Sequence, residues 1–330
     1  MKTIRRIQNF VARVYRQKIA CDQYPMLTSV DRKRRQSEGA IGLVYMLHHV
    51  TDKDPRRIPT NEDLKVSPEF LEKMILKYKA KGFDFVSLDR LYEILHSDVI
   101  PEHPFIAITI DDGYLDNYTR ALPVFERHQV PFAIFVATDF IDHKAILWWD
   151  SIEELIMTHN RIVTSDGNCY SCDSFQQRWD TFRYLRERVL CLDQQNLECE
   201  LGKMFSNYHI DWYEPVKREG MSWKHIISLA NHSLCTIGGH TVTHPALSKL
   251  ELNEAVCEIK MGKERIEREI SQSVSYFAYP YGTPNEVGVR EIQQTEDLGF
   301  KLAFCAHGGC ITNDNKSKLF QLPRVYFRES

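Results

Sequence analysis

The sequence predicts an α/β barrel, on three observations. From residue 41 onward, short apolar runs alternate with amphipathic stretches of helical period, the rhythm of βα units feeding a parallel sheet. Seven or eight of those runs read as strands, which favours a sheet closed on itself over an open one. The chain has 330 residues, 43% of them hydrophobic, ample for one large core. No run reaches the roughly 18 apolar residues that a membrane-spanning helix needs.

Taken in order, residues 41–48 form the first strand. Ser67 offers an N-cap and Pro68 an N1 proline for a helix to about Lys81, because the first helical N–H has no intrahelical partner to lose. Residues 85–88 read as a second strand, after which Asp89 caps a short helix to His96. Residues 105–110 are a third strand, 117–128 a helix and 131–137 a fourth strand. The alternation breaks over about 145–220, which is long, charged and mostly helical in pattern (179–192, 195–205), and is read as a helical insert. It resumes with a helix at 223–231, a strand at 234–238, a helix at 253–270 and a strand at 274–279. A helix at 287–298, a strand at 301–305 and a closing strand at 319–327 complete the chain.

Charge is uneven. Residues 1–35 carry ten Lys and Arg against two Asp, while the remainder balances at −11 and the whole chain at −3. Overall acidity argues against a nucleic-acid partner. In the head, Ile4, Ile7, Phe10, Val11 and Val14 recur at helical spacing among the basic residues. That is the pattern of an amphipathic helix lying on an anionic membrane surface, and equally of a solvated packing arm. Residues 1–38 are therefore read as a basic extension and 39–330 as the barrel domain. No secretory signal is seen, since Arg13 and Arg16 interrupt the apolar segment, so a cytoplasmic location, peripheral to the inner face of the membrane, is expected. The nine cysteines suit reduced, buried thiols. Cys169 and Cys172 lack the second C-x-x-C pair that a structural zinc site would want.

Chemistry concentrates at strand ends. Asp111-Asp112-Gly113-Tyr114 follows the third strand directly, where βα barrels assemble their active sites. Adjacent carboxylates repel unless something positive lies beside them. A metal ion would bind one and leave the other to handle protons; a helix N-cap with a solvated neighbour is the alternative. His240-Thr241-Val242-Thr243-His244 ends the strand at 234–238. Val, Thr and the following Pro245 argue against a helix, while full extension would part the rings by roughly 13 Å. The segment must bend, with Gly238 and Gly239 easing the turn. Two His and one Asp make a three-ligand site with open positions, suited to Zn²⁺ or an Fe²⁺-like ion. A 2-His-1-carboxylate oxygenase would share those ligands, but it usually brings an all-β pattern. Phe277-Ala278-Tyr279-Pro280-Tyr281-Gly282 then turns out of a strand with aromatic rings suited to stacking on sugars.

Together and in this order, the three motifs resemble the polysaccharide deacetylase family with the NodB homology domain (carbohydrate esterase family 4). Tyr45-Met46-Leu47-His48-His49-Val50, Asp116-Asn117-Tyr118, Trp148-Trp149-Asp150 and Leu322-Pro323-Arg324 extend the resemblance over about 40–328. It implies a distorted (β/α)7-like barrel and metal-dependent removal of N-acetyl groups from amino sugars of a polysaccharide or its lipid- or nucleotide-linked precursor. Asp112, His240 and His244 would hold one divalent ion, zinc foremost, with iron, cobalt or nickel as alternatives. Asp111 would be the general base, with Tyr114 contributing its backbone N–H to the oxyanion. His48 is the preferred general acid and His307 the runner-up. Trp149 and Tyr281 are the sugar-stacking candidates. Ala278 departs from the arginine that many members carry to orient the base, and Arg324 on the last strand could supply that charge. The departure also admits a carbohydrate-binding module without turnover. Oligomeric state and the role of the insert are not specified by the sequence.

Overall fold

The computed structural model describes residues 39–329. The basic head, and the membrane contact read from it, lie outside the described residues. Strands β1 (Ala40–Leu47), β2 (Asp84–Phe85), β3 (Phe105–Asp112), β4 (Phe132–Val136), β5 (Cys235–Gly239), β6 (Tyr276–Ala278), β7 (Leu302–Phe304), β8 (Ile311–Thr312) and β9 (Val325–Tyr326) form one curled sheet. Its order is β7-β6-β5-β4-β3-β1-β8, with β9 also on β1 and β2 also on β3. Every pairing is parallel except β1 with β8. Helices α1 (Pro68–Ala80), α2 (Leu88–His96), α3 (Leu122–His128), α7 (Trp223–Ala230), α8 (Leu252–Ile270) and α9 (Val289–Asp297) intervene between strands. The insert contributes α4 (Trp148–Thr158), α5 (Phe175–Val189) and α6 (Leu197–Met204). No described helix is long and apolar enough to cross a membrane.

Closure of the barrel depends on the last segment. Leu322 bridges Phe304 of β7, through Leu322 N–H to Ala303 O and Cys305 N–H to Leu322 O, both 2.9 Å. Three residues on, Val325 pairs with Tyr45 of β1. The expected strand at 319–327 is thus only two residues long, because Pro323 has no N–H for the ladder and the chain crosses from one sheet edge to the other. Arg324 sits at that crossing, fully buried.

Alternation along β3 sets the two faces. Ile106, Ile108 and Ile110 pack in the cluster shared with the helices, and Phe105 and Ala107 pack in the one with Phe135 and Phe304. Side chains two apart share a face, so Thr109 and Asp111 continue the inward row. Gly238 belongs to this interior too: a Cβ there would lie 2.4 Å from the Phe135 ring. Its role is room for that ring rather than a turn, and the bend comes later, at Thr241 with φ 71°.

Local signals shift some boundaries. Ser87, not Asp89, caps α2, accepting from Arg90 N–H at 3.1 Å, and the strand before it shrinks to β2. The expected helix at 117–128 opens with a π-turn at Asn117–Ala121 before α3. Pro123 cannot donate to the preceding turn and its ring crowds it. The insert has its own core of Trp148, Phe182, Phe205 and Trp212. Its Cys169 and Cys172 lie on a hairpin, and all eight cysteines among the described residues are free.

Candidate active site

Both carboxylates of β3 line one cavity together with His48, Tyr114, Trp149, His240, His244, Tyr281 and Arg324. Strict alternation would send Asp112 to the opposite face from Asp111. Its φ of 80°, followed by Gly113 at 120°, breaks the strand and turns Asp112 back toward the cavity. With a volume of about 200 Å³, the cavity is smaller than the roughly 300–1,000 Å³ of typical ligand pockets.

Asp111 is held by a buried arginine. Arg324 Nη1 donates to Asp111 Oδ1 at 2.6 Å and Nη2 to Oδ2 at 2.7 Å. The guanidinium is fixed in turn by Thr109 Oγ1 at 3.1 Å and Cys305 O at 3.3 Å. Burial pushes the Asp111 carboxyl up, but the charge and hydrogen bonds of Arg324 outweigh this and hold it below the usual carboxylate range. The geometry therefore keeps an ionised, oriented carboxylate in the barrel although position 278 is alanine. The backbone of Ala278 has another task, described next.

Around Asp112 the donors and acceptors do not balance. His240 Nδ1–H donates to Ala278 O at 2.6 Å, which leaves Nε2 with its lone pair in the neutral ring. That Nε2 lies 3.3 Å from Asp112 Oδ1, and His244 Nε2 lies 3.4 Å from the same oxygen. Asp112 Oδ1 is buried and accepts no hydrogen bond. Burial lowers the His244 imidazole to about 4 despite the pull of Asp112, so this ring is neutral near pH 7. Lone pairs converging in a dry site are unfavourable unless a cation lies among them. One ligand atom from each residue falls within a 4.8 Å span. Ligands at about 2.0–2.1 Å from a tetrahedral ion stand roughly 3.4 Å apart. The three residues fit a divalent metal, and Ala278 O orients one of them, as such sites commonly require.

The loop carrying His244 is built for this. Thr241 and His244 have φ of 71° and 62°, and the two histidine ring centroids lie 4.9 Å apart, confirming the bend that the spacing demanded. Glu258 on α8 was not among the residues singled out from sequence. Its carboxylate accepts from Val242 N–H and Thr243 N–H, each at 2.9 Å, and from Thr243 Oγ1 at 3.0 Å. Glu258→Ala is expected to weaken metal affinity about 10–100-fold, the usual effect of losing a supporting partner. Glu258→Gln keeps one acceptor oxygen and should fall in between. Metal titration of the purified variants measures both.

The two histidine candidates are placed differently. His48 directly follows β1 and lines the cavity, stacked over Tyr326 with ring centroids 6.4 Å apart. His307 follows β7 but is exposed and is not among the cavity-lining residues. Asp116 and Asn117 brace the end of β1: His49 Nδ1 bonds Asp116 Oδ2 at 2.8 Å and Asn117 Nδ2 bonds His48 O at 2.8 Å. Burial alone would lower the His49 imidazole, yet Asp116 raises it above its ordinary value. A raised histidine contributes stability that is complete below the unfolded value of about 6.5 and is lost as pH climbs through the folded one. Asp116→Asn should therefore cost about 1–2 kcal/mol at pH 5.5, with the gap to wild type narrowing toward pH 9 in denaturant titrations.

Aromatic rings and the insert complete the walls. Trp149 Nε1–H donates to Tyr114 Oη at 3.3 Å, and Trp148 Nε1–H to Tyr281 Oη at 3.4 Å. Trp149 and Tyr281 stand against His244 with centroids at 5.6 and 4.9 Å. Phe182, Arg183 and Arg186 of α5 and Arg328 beyond β9 also line the cavity. The amphipathic pattern of the insert could have suggested a buried face there, but not which surface it covers.

Comparison with known proteins follows these features. The sequence model described as polysaccharide deacetylase matches residues 98–164 and 201–303, leaving out part of the insert. YxkH of Bacillus subtilis, a protein assigned by name to the polysaccharide deacetylases, is 26% identical over 112 residues, or 34% of this chain and 37% of that protein's length. The Streptococcus pyogenes deacetylase PplD, solved in complex with acetate, superposes with a TM-score of 0.58 at 18% identity, covering 88% of this chain and 92% of that one. IcaB from Ammonifex degensii gives 0.54 at 17% identity over 88% and 92% of the two chains. At such identities the solved structures establish the shared fold, a distorted barrel of the deacetylase type. With its family model matched over more than half of its length, the chain belongs to the polysaccharide deacetylase family.

Proposed function

We propose that the chain is a metal-dependent hydrolase that removes N-acetyl groups from amino sugars of a polysaccharide or of its lipid- or nucleotide-linked precursor. The observation that carries this reading is the pairing of an unmatched three-ligand cluster (Asp112, His240, His244) with a separately held carboxylate, Asp111, in one cavity. Zinc is the ion that best suits two imidazoles and a carboxylate. When bound, such an ion supplies positive charge against an amide carbonyl and lowers the pKa of water.

The chain's own groups do the rest. Arg324 occupies one lone pair on each Asp111 oxygen, and each oxygen retains another, so Asp111 can accept the proton of an attacking water without losing its orientation. In this reading the backbone N–H of Tyr114 donates to the oxyanion. His48, half-buried in the same cavity as the carboxylates, delivers a proton to the departing amine, which cannot leave as an anion. Trp149 and Tyr281 present ring faces to the sugar. The Asp111–Arg324 pair argues against a binding module without turnover, since binding alone does not require an oriented base.

Acetate release from N-acetylchitooligosaccharides and acetylated glycans, with and without chelator, tests the proposal. Metal-restorable release is expected; its absence from every acetylated sugar would remove the assignment. Within this scheme His48→Ala should lower kcat about 100-fold and His307→Ala should leave it unchanged.

A further inference from the structure

We infer that the cavity takes an acetamido sugar bearing a phosphate ester, whose phosphate is seated by Arg183, Arg186 and Arg328. The inference rests on the deacetylase reading and narrows its substrate. Arg183 and Arg186 stand three apart on α5, hence on one helix face, and both line the cavity that holds Asp111, Asp112 and His48. Arg328 reaches the same cavity from the segment after β9.

The charges of this cavity are unevenly matched. Asp111 is matched by Arg324, and Asp112 by the metal that its histidine neighbours would share. Among the lining residues only Glu187, 3.0 Å from Arg186, remains as an anion against the three arginines. Arg183 also touches Asp180, outside the cavity. The Nε–H groups of Arg183 and Arg328 are buried and have no acceptor. Donors in that condition are costly until a ligand oxygen arrives. Arg183, Arg186 and Arg328 share the lining of this cavity with Tyr281 and Tyr326. Guanidinium forks approaching from separate elements suit a tetrahedral dianion better than a planar monoanion. Trp149 and Tyr281 remain for the sugar ring.

Calorimetry on the full, metal-loaded chain tests this with N-acetylglucosamine 1-phosphate against its neutral twin, methyl N-acetylglucosaminide. The phosphate-bearing sugar should bind at least about tenfold tighter, the effect of one charge-assisted hydrogen bond, and inorganic phosphate should compete. Arg186→Gln and Arg328→Gln should each remove most of that preference, and Arg186→Lys should restore part of it. Equal binding of the two sugars by wild type overturns the inference whether or not the variants fold. UDP-N-acetylglucosamine and a detergent-solubilised polyprenyl diphosphate sugar, run as further arms, distinguish a nucleotide from a lipid source of the phosphate. Acetate is assayed in the same samples. Preferential binding without acetate from any arm would sink the deacetylase reading and leave the phosphate site standing; acetate without preference would do the reverse.

Discussion

Asp111→Asn is expected to reduce acetate release by about three orders of magnitude, within the range ascribed to positioned general bases, while metal content stays at the wild-type level. Its side-chain amide is nearly isosteric with the carboxylate but cannot accept the proton of water. Asp112, His240 and His244 do not depend on Asp111 for their mutual placement, since His240 is set by Ala278 O and the His244 loop by Glu258. Turnover and metal analysis on the same preparation separate the two effects. Near-normal turnover would remove Asp111 from its role, and parallel loss of metal would make it a ligand.

The second large effect is expected at Arg324. With neither residue reached by solvent, Arg324→Met leaves the Asp111 carboxylate buried and unpaired, a change that costs about 3–5 kcal/mol in comparable pairs. It also removes the seam residue that joins β7 to β1. The double variant Asp111→Leu/Arg324→Met should recover much of that stability, because replacing both buried charges with apolar groups is often neutral, yet release no acetate. Denaturant melts of the two single variants and the double variant give the coupling directly. A coupling energy near zero would show that the pair holds neither the fold nor the base.

Much of this arrangement was legible in the sequence. The placing of Asp111 and Asp112 at the end of a strand was legible, and the His240–His244 spacing demanded a bend, whereas the inward turn of Asp111 follows from an alternation along β3 that only the two packed clusters reveal. The direction of Asp112 was not legible, because it depends on a positive φ that only the following Gly113 hints at. Arg324 could be named as a partner for Asp111, but its fit depends on Pro323 steering a segment 213 residues away across the barrel seam. His48 and His307 both follow strands, and local pattern could not tell a lining residue from an exposed one. The insert was hardest to read. Its pattern gave helices but no role, because the cavity that Arg183 and Arg186 line is made with elements far away in the chain.

The convergence of Asp112, His240 and His244 on one ion is tested most directly by metal stoichiometry. After zinc loading and exhaustive dialysis against metal-free buffer, wild type should retain one equivalent per chain, and Asp112→Ala, His240→Ala and His244→Ala should each retain far less. If those three variants kept as much zinc as wild type, the ion would lie elsewhere and the hydrolytic account would not stand.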